Sequence, residues 1–354
     1  MNMSSPGLLR NAAASAFTSY PLTGLWREIS GHRVTIFMLH RFSDPEQGVE
    51  GHEPKELDAR LDHLRARGYP LLSLFDVVAG LQGNRRLPEE GVVFTVDDGY
   101  YDFYEIGRPV FERHGCPVTV FLPTRFVDGD VWLWWDKVEY LFGLAPEAGE
   151  IDLPIHGGRR YWTSDSERRS LEHDVVQDLH RVSYARVTET LDSLARQLGV
   201  TVPDRPPPRY RSMDWSHVQS AESSLISFGP HTATHPLLSR VDDERARREI
   251  SRSWRALRAR TSNPVPIFCY PNGAPETYTS RSKRYARDAG LVGALTSQPG
   301  YVPARRGEPP ASMQSFELPR FAYPGDRRSM VQVVTGLEKV KRTARRRLPG
   351  SGGS

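Results

Sequence analysis

The chain has 354 residues, 38% hydrophobic and 25% charged, a composition ordinary for a folded globular protein that excludes a disordered or low-complexity one. Its net charge of +4 is small, and the basic excess gathers near the end, where Lys339, Lys341, Arg342, Arg345, Arg346 and Arg347 stand close together without a nucleic-acid reading motif, so no nucleic-acid partner is expected. Two cysteines, Cys116 and Cys269, exclude a disulfide framework and a zinc–thiolate cluster.

Near the start, Arg10 is followed by a small-residue run, 11–17, too short and too weakly apolar for a signal segment or a membrane span. The expectation is a helical extension over 1–30 and a cytoplasmic protein. From 31 to 325, β-rich runs alternate with helical patterns: strands at 34–39, 92–96 and 117–122, with helices over 54–67 and 103–114. Between 126 and 211 the rhythm breaks. Trp132, Trp134 and Trp135 open a helical stretch to Phe142, a polar loop follows, 167–198 reads as one or two helices, and Arg205-Pro206-Pro207-Pro208 closes the segment as a stiff linker. Strands then resume at 225–229, 266–270 and 292–296, with helices over 242–260 and 280–289. This is an α/β pattern of a parallel sheet or barrel with a helical insertion. The last segment, 326–354, reads as a basic helix and flexible tail, either a solvated face or a peripheral contact with anionic lipid at the inner face of the membrane.

His40, Asp97, Asp98, His231 and Tyr270 fall at or just past strand C-termini, the face on which a βα barrel builds its site from separate loops. Asp97-Asp98-Gly99 ends one strand, and His231-Thr232-Ala233-Thr234-His235 follows another. Each has a plainer alternative. An Asp-Asp-Gly also makes an ordinary turn, and histidines four apart also occur on surfaces or as core pairs. Together they point to a mononuclear metal site: two neutral imidazoles and a carboxylate leave an open position for water, whose pKa a divalent ion lowers towards ~7.

Both segments, in spacing and order, resemble the polysaccharide deacetylase family, carbohydrate esterase family four. Thr95-Val96-Asp97-Asp98-Gly99 is similar to the family's Thr-Phe-Asp-Asp-Gly, and the 231–235 segment fits its His-Ser/Thr-x-x-His. Cys269-Tyr270-Pro271-Asn272-Gly273 aligns with Arg-Pro-Pro-Tyr-Gly and keeps only the middle Pro and the Gly. Phe37-Met38-Leu39-His40-Arg41 and Leu318-Pro319-Arg320 look like features of one branch. The resemblance implies a distorted (β/α) barrel of about seven strands and a divalent metal, with zinc the expected ion, on Asp98, His231 and His235. It also implies Asp97 as general base. The arginine that orients that base in the family is Cys269 here, so Arg320 is the expected substitute, an Arg fork being matched to a carboxylate. A surface ion pair is its alternative. The family's Leu-x-His acid is absent from Leu295-Thr296-Ser297, which leaves His40 as acid, or as a structural histidine bonded to a loop.

For substrate contacts, Tyr270 and the backbone at Asn272 and Gly273 belong to the third motif, and Trp134 is the candidate for stacking on a sugar. The same tryptophan cluster would otherwise pack the insertion onto the barrel. The expected activity is hydrolysis of an N-acetyl group on a sugar of a polysaccharide or glycan precursor. Two competitors stand beside it: a small-amide hydrolase or deformylase on the same scaffold, and a glycan-binding protein whose catalysis has decayed.

Overall fold

The computed structural model describes residues 33–84, 87, 88, 90–303 and 314–338; the extension expected over 1–30 and the basic cluster from Lys339 onward lie outside them. Strand β1 (Arg33–Leu39) leads through α1 (Pro54–Ala66) and α2 (Leu74–Leu81) to β2 (Gly91–Val96). A π-helical turn (Phe103–Gly107) and α3 (Arg108–Arg113) lead on to β3 (Val118–Leu122). The insertion opens with α4 (Thr124–Val127) and holds α5 (Trp134–Gly143), β4 (Gly149–Leu153), β5 (Gly158–Trp162), α6 (Asp165–Leu179) and α7 (Tyr184–Leu198). Beyond it come α8 (Trp215–Ala221), β6 (Ile226–Pro230), α9 (Asp243–Arg260) and β7 (Ile267–Cys269). The described chain ends with α10 (Ser280–Asp288), β8 (Gly293–Leu295), β9 (Val302–Pro303), β10 (Phe321–Ala322) and α11 (Arg327–Val334).

Local chemistry accounts for the helices. In α1 a proline stands in the first turn and Leu57, Arg60, Leu61 and Leu64 form one buried stripe. In α9 the Asp242 side chain caps Arg245 N, acids fill the first turn and Arg258 and Arg260 the last, as the helix dipole favours.

The strands form a parallel ring. Pairing runs β10-β1-β2-β3-β6, with β9 antiparallel on β1, while β7 and β8 pair in a second parallel unit. Two seams join the units. Leu318 bridges Leu295 and exchanges hydrogen bonds with Ala294 O (2.8 Å) and Thr296 N (2.9 Å) before the chain runs into β10. On the other side Val265 N donates to Phe228 O at 2.8 Å. That seam is thin because Pro264 and Pro266 flank Val265 and have no N–H to give the ladder. The ring therefore has seven positions: β1, β2, β3, β6, β7, β8 and the 318–322 segment.

Its interior is visible in the packing, where Ile36, Val93, Phe121, Ile267, Cys269, Leu295 and Leu318 make one buried cluster. These come from six of the seven positions. The seventh, β6, contributes Gly229, where an added Cβ would lie 2.5 Å from the Phe121 ring; only hydrogen fits against a filled barrel core. Outside the ring, Phe94, Val96, Val120 and Phe228 pack under the helices with Leu57, Leu61 and Phe111. Within the expected basic C-terminal helix, α11 docks Met330, Val333 and Val334 into the same layer, contributing on the order of 1.5–3 kcal/mol per buried side chain.

The insertion has a core of its own, in which Val138, Leu141, Ile151, Leu153, Trp162, Leu171, Val175, Leu191 and Leu194 meet. The polar loop expected after Phe142 is instead the antiparallel hairpin β4–β5, paired from Gly149↔Trp162 to Leu153↔Gly158. Its buried residues alternate with exposed ones, so one face of a short ribbon closes over the helices. The exit from the insertion returns to the barrel rim: Met213 N donates to Gly99 O and Tyr101 N to Arg211 O, both at 2.9 Å.

Candidate active site

Asp97 continues the β2 ladder, its N–H reaching Leu39 O at 2.9 Å, and so projects into the top of the barrel. There it is buried and meets Arg320 in a two-pronged pair, Nη1 to Oδ1 and Nη2 to Oδ2, each at 2.7 Å. Arg320 is itself fully buried and further held by Thr296 O (3.0 Å) and Thr95 Oγ1 (3.1 Å). Cys269 lies against both partners, its Sγ 3.2 Å from Arg320 Nη2 and 3.5 Å from Asp97 Oδ2. Thus a guanidinium from residue 320 faces the carboxylate where residue 269 offers a small thiol. Burial alone would raise the Asp97 carboxyl, but the Arg320 charge and hydrogen bonds outweigh it and hold the group below its ordinary value.

The next residue turns the other way. Asp98 adopts a left-handed backbone (φ 71°), as do Thr232 (69°), His235 (57°) and Asn272 (62°); among described non-glycine residues only Glu90 joins them. Such backbone costs on the order of 1–3 kcal/mol per residue and gathers where side chains must be aimed. The aim is convergent. Asp98 Oδ1 lies 3.5 Å from His231 Nε2 and 3.3 Å from His235 Nε2, and the two Nε2 atoms are 3.1 Å apart.

These separations fit a metal. Three ligand atoms at ~2.0–2.1 Å from a tetrahedral ion stand about 3.3 Å from one another. Moreover, Asp98 Oδ1 is a buried oxygen without a hydrogen bond, since its imidazole contacts do not meet hydrogen-bond geometry. A buried carboxylate in that state calls for a positive partner, which a metal ion or a protonated imidazole would supply. Against its own burial, the two imidazoles hold Asp98 well below the usual carboxylate range. His231 Nδ1 donates to Cys269 O at 2.8 Å, which turns its Nε2 lone pair toward the same point.

The loop carrying both histidines is pinned by a residue that sequence reading passed over. Glu249 of α9 is buried and accepts from Ala233 N (2.9 Å), Thr234 N (2.8 Å) and Thr234 Oγ1 (2.7 Å), while Thr232 Oγ1 accepts from His235 N at 2.9 Å. A signal for it exists: Glu249 is an acid on the helix face that carries the apolar residues Ala246, Ile250, Trp254 and Leu257. Glu249→Ala should leave two buried N–H groups without acceptors and cost on the order of 3 kcal/mol by urea denaturation, whereas Glu249→Gln, which keeps an oxygen for them, should cost less than half of that. Equal losses for the two variants would mean that the loop is held by other contacts.

An open cleft of about 920 Å³ lies over Asp98, lined by His40, Tyr100, Trp135 and Asp136 near the convergence point and by α5 and α6 further out. His40 Nε2 stands 4.0 Å from Asp97 Oδ2 with the side chain about half exposed, so it sits at the mouth with one side to the base. Other expected substrate contacts fall elsewhere. Tyr270 is buried, stacked on Tyr278 at 4.2 Å outside the barrel, because Cys269 takes the inward position and the next residue of a strand faces away. Gly273 packs its loop on the end of β8, where an added Cβ would lie 2.6 Å from Ser297 N, and Asn272 is exposed; neither lines the cleft. Trp134 faces the insertion's core, and Trp135, one helical step of about 100° further on, takes the cleft wall.

The sequence profile of the polysaccharide deacetylase family matches residues 206–294, which include both histidines and Cys269. A 129-residue stretch is 32% identical to YxkH of Bacillus subtilis (strain 168), a protein named for polysaccharide deacetylase, covering 35% of this chain and 45% of that one. The fold is similar to that of the Streptococcus pyogenes deacetylase PplD, solved in complex with acetate, with TM-score 0.54 and 17% identity over 86% of this chain and 99% of that one. The chain shares its fold and a family signature with the polysaccharide deacetylases. A second relative, the poly-beta-1,6-N-acetyl-D-glucosamine N-deacetylase of Escherichia coli (strain K12), is 23% identical over 160 residues, 36% of this chain and 23% of the relative. The chain thus spans less than half the length of these curated relatives in the matched regions.

Proposed function

We propose that the protein is a divalent-metal-dependent hydrolase that removes N-acetyl groups from the sugars of a polysaccharide or glycan precursor. The observation that carries this reading is the convergence of Asp98, His231 and His235 beside a second buried carboxylate, Asp97, held by Arg320. Asp98 and the two imidazoles would hold the ion, and zinc is the ion we propose from the nitrogen-rich donor set and the ligand separations. When bound it supplies a Lewis acid and lowers the pKa of water at the open position.

The chain's own residues do the rest. Asp97 takes the proton of the attacking water, and the Arg320 fork fixes the plane of its carboxylate. We assign His40, whose Nε2 lies 4.0 Å from Asp97 Oδ2, as the group that passes a proton to the leaving nitrogen. The bond broken is the C–N amide, acetate leaves, and the amine remains on the sugar. An approximately 920 Å³ cleft walled by Trp135 and Tyr100 favours an oligosaccharide over a small amide.

The test is acetate release from N-acetylglucosamine oligomers, with N-acetylated small amides alongside. Oligomer turnover should vanish on chelation and return with one equivalent of zinc per chain. Turnover that survives exhaustive chelation would remove the metal, and equal rates on small amides would remove the saccharide.

A further inference from the structure

We infer that Trp135, on the first long helix of the insertion, is a positioning residue for the metal ligand His235. The inference rests on the metal-centre reading above and asks how each imidazole is held. The two are held differently. His231 is oriented by a hydrogen bond from Nδ1 to Cys269 O, the usual device for a ligating histidine. His235 has no such bond: its Nδ1 is buried and without a hydrogen-bond partner among the described residues. What meets its ring is the indole of Trp135, with centroids 4.7 Å apart and planes inclined at 71°.

The indole is itself tied down. Its Nε1 donates to Tyr100 Oη at 3.0 Å, and that hydroxyl lies 2.9 and 3.0 Å from the two oxygens of Asp136. Tyr100 is clamped in turn, edge-on against Phe126 at 5.4 Å and under the Arg41 guanidinium at 3.9 Å. On its other side Trp135 meets Trp134 edge-on at 5.5 Å, and Trp134 is part of the insertion's core. A chain of packed groups thus runs from the insertion to one ligand of the ion. A ligand atom must be held within about 0.5 Å and 10–20° of its productive place, and a ring whose far nitrogen has no hydrogen bond to fix its rotation depends on the shape around it. Removing the indole opens the space into which the His235 ring rotates.

The experiment uses the full chain stripped of metal. Zinc affinity is read by competition with a chromophoric chelator, and ligand geometry by the visible absorption of the cobalt form. Trp135→Ala should weaken zinc binding by roughly 10–100-fold, the range for loss of groups that orient metal ligands, and should shift the cobalt bands. Trp135→Phe, which keeps an aromatic plane against His235, should stay much closer to wild type on both. A Trp135→Ala protein with wild-type affinity and an unchanged cobalt spectrum would overturn the inference. If that variant does not fold, Trp135→Leu decides in its place, with the same two outcomes. A wild-type chain that takes up no zinc would instead sink the metal-centre reading itself, a result separable from the failure of Trp135 alone.

Discussion

Asp97→Asn should lower acetate release by roughly 10²–10⁴-fold while the chain still binds one divalent ion, the size expected for losing a positioned base. The separation of effects follows from geometry. Asp97 contributes no atom to the Asp98, His231 and His235 trio, so its amide variant leaves those three ligand atoms in place. What changes is the proton acceptor: an amide oxygen cannot take a proton near neutral pH. The variant also leaves Arg320 buried opposite a neutral group, so rates must be compared per folded molecule. Metal content and single-turnover rate on the same sample decide the matter. Loss of the ion would move Asp97 into the ligand shell, and an unchanged rate would take it out of the reaction.

Arg320→Met should cost about 3–5 kcal/mol of stability, because it strands the Asp97 carboxylate in the barrel with no counter-charge. Arg320→Lys keeps the charge and still fails on geometry. The guanidinium serves Asp97 Oδ1 and Oδ2, Thr95 Oγ1 and Thr296 O from three nitrogens in one plane. A tetrahedral ammonium, a single point charge, cannot duplicate that planar fork. Activity in Arg320→Lys should fall with the carboxylate's loss of orientation, by at least tenfold, and a lysine variant as fast as wild type would show that the charge alone suffices. A sharper version adds Cys269→Arg to Arg320→Met. Since the Cys269 thiol already touches Asp97, an arginine there meets the same carboxylate from β7, across the barrel interior, and part of the lost stability should return. No recovery in urea denaturation would mean that the two positions are not interchangeable.

Much of this site was legible in the sequence, and for definite reasons. Asp97 with Asp98, and His231 with His235, are local pairs whose side chains are aimed by a few residues of backbone, so their types and spacing travel with the motif. Arg320 was legible through the resemblance: the family holds its base with an arginine at the place where this chain has Cys269, which cannot give a counter-charge. The misplacements are all of orientation. Whether Cys269 or Tyr270 looks into the barrel is a shift of one residue along a strand, which reverses the face. Trp134 and Trp135 differ by one step of a helix, and composition is blind to which meets the cleft. The closing strand was harder still, since β10 is two residues long and carries no periodicity of its own. Glu249 acts on a loop 15 and 16 residues away through backbone N–H groups, which no pattern of side chains records.

The pairing of Asp97 with Arg320 spans 223 positions of sequence. Because the ring is sealed by the segment that contains Arg320, the barrel has an open side until that segment is made. During synthesis the β2 strand and its two acids leave the ribosome long before their arginine, and for that interval Asp97 must stay in water. Contacts so distant in sequence are slow to form, and they come after the local helices and hairpins have been sampled. The ordering ties chemical competence to completion of the polypeptide: a nascent or truncated chain that ends before residue 320 has the histidines and both acids, yet lacks the arginine that pairs with its base in the barrel. Such a fragment should be recognised by proteases as unfinished.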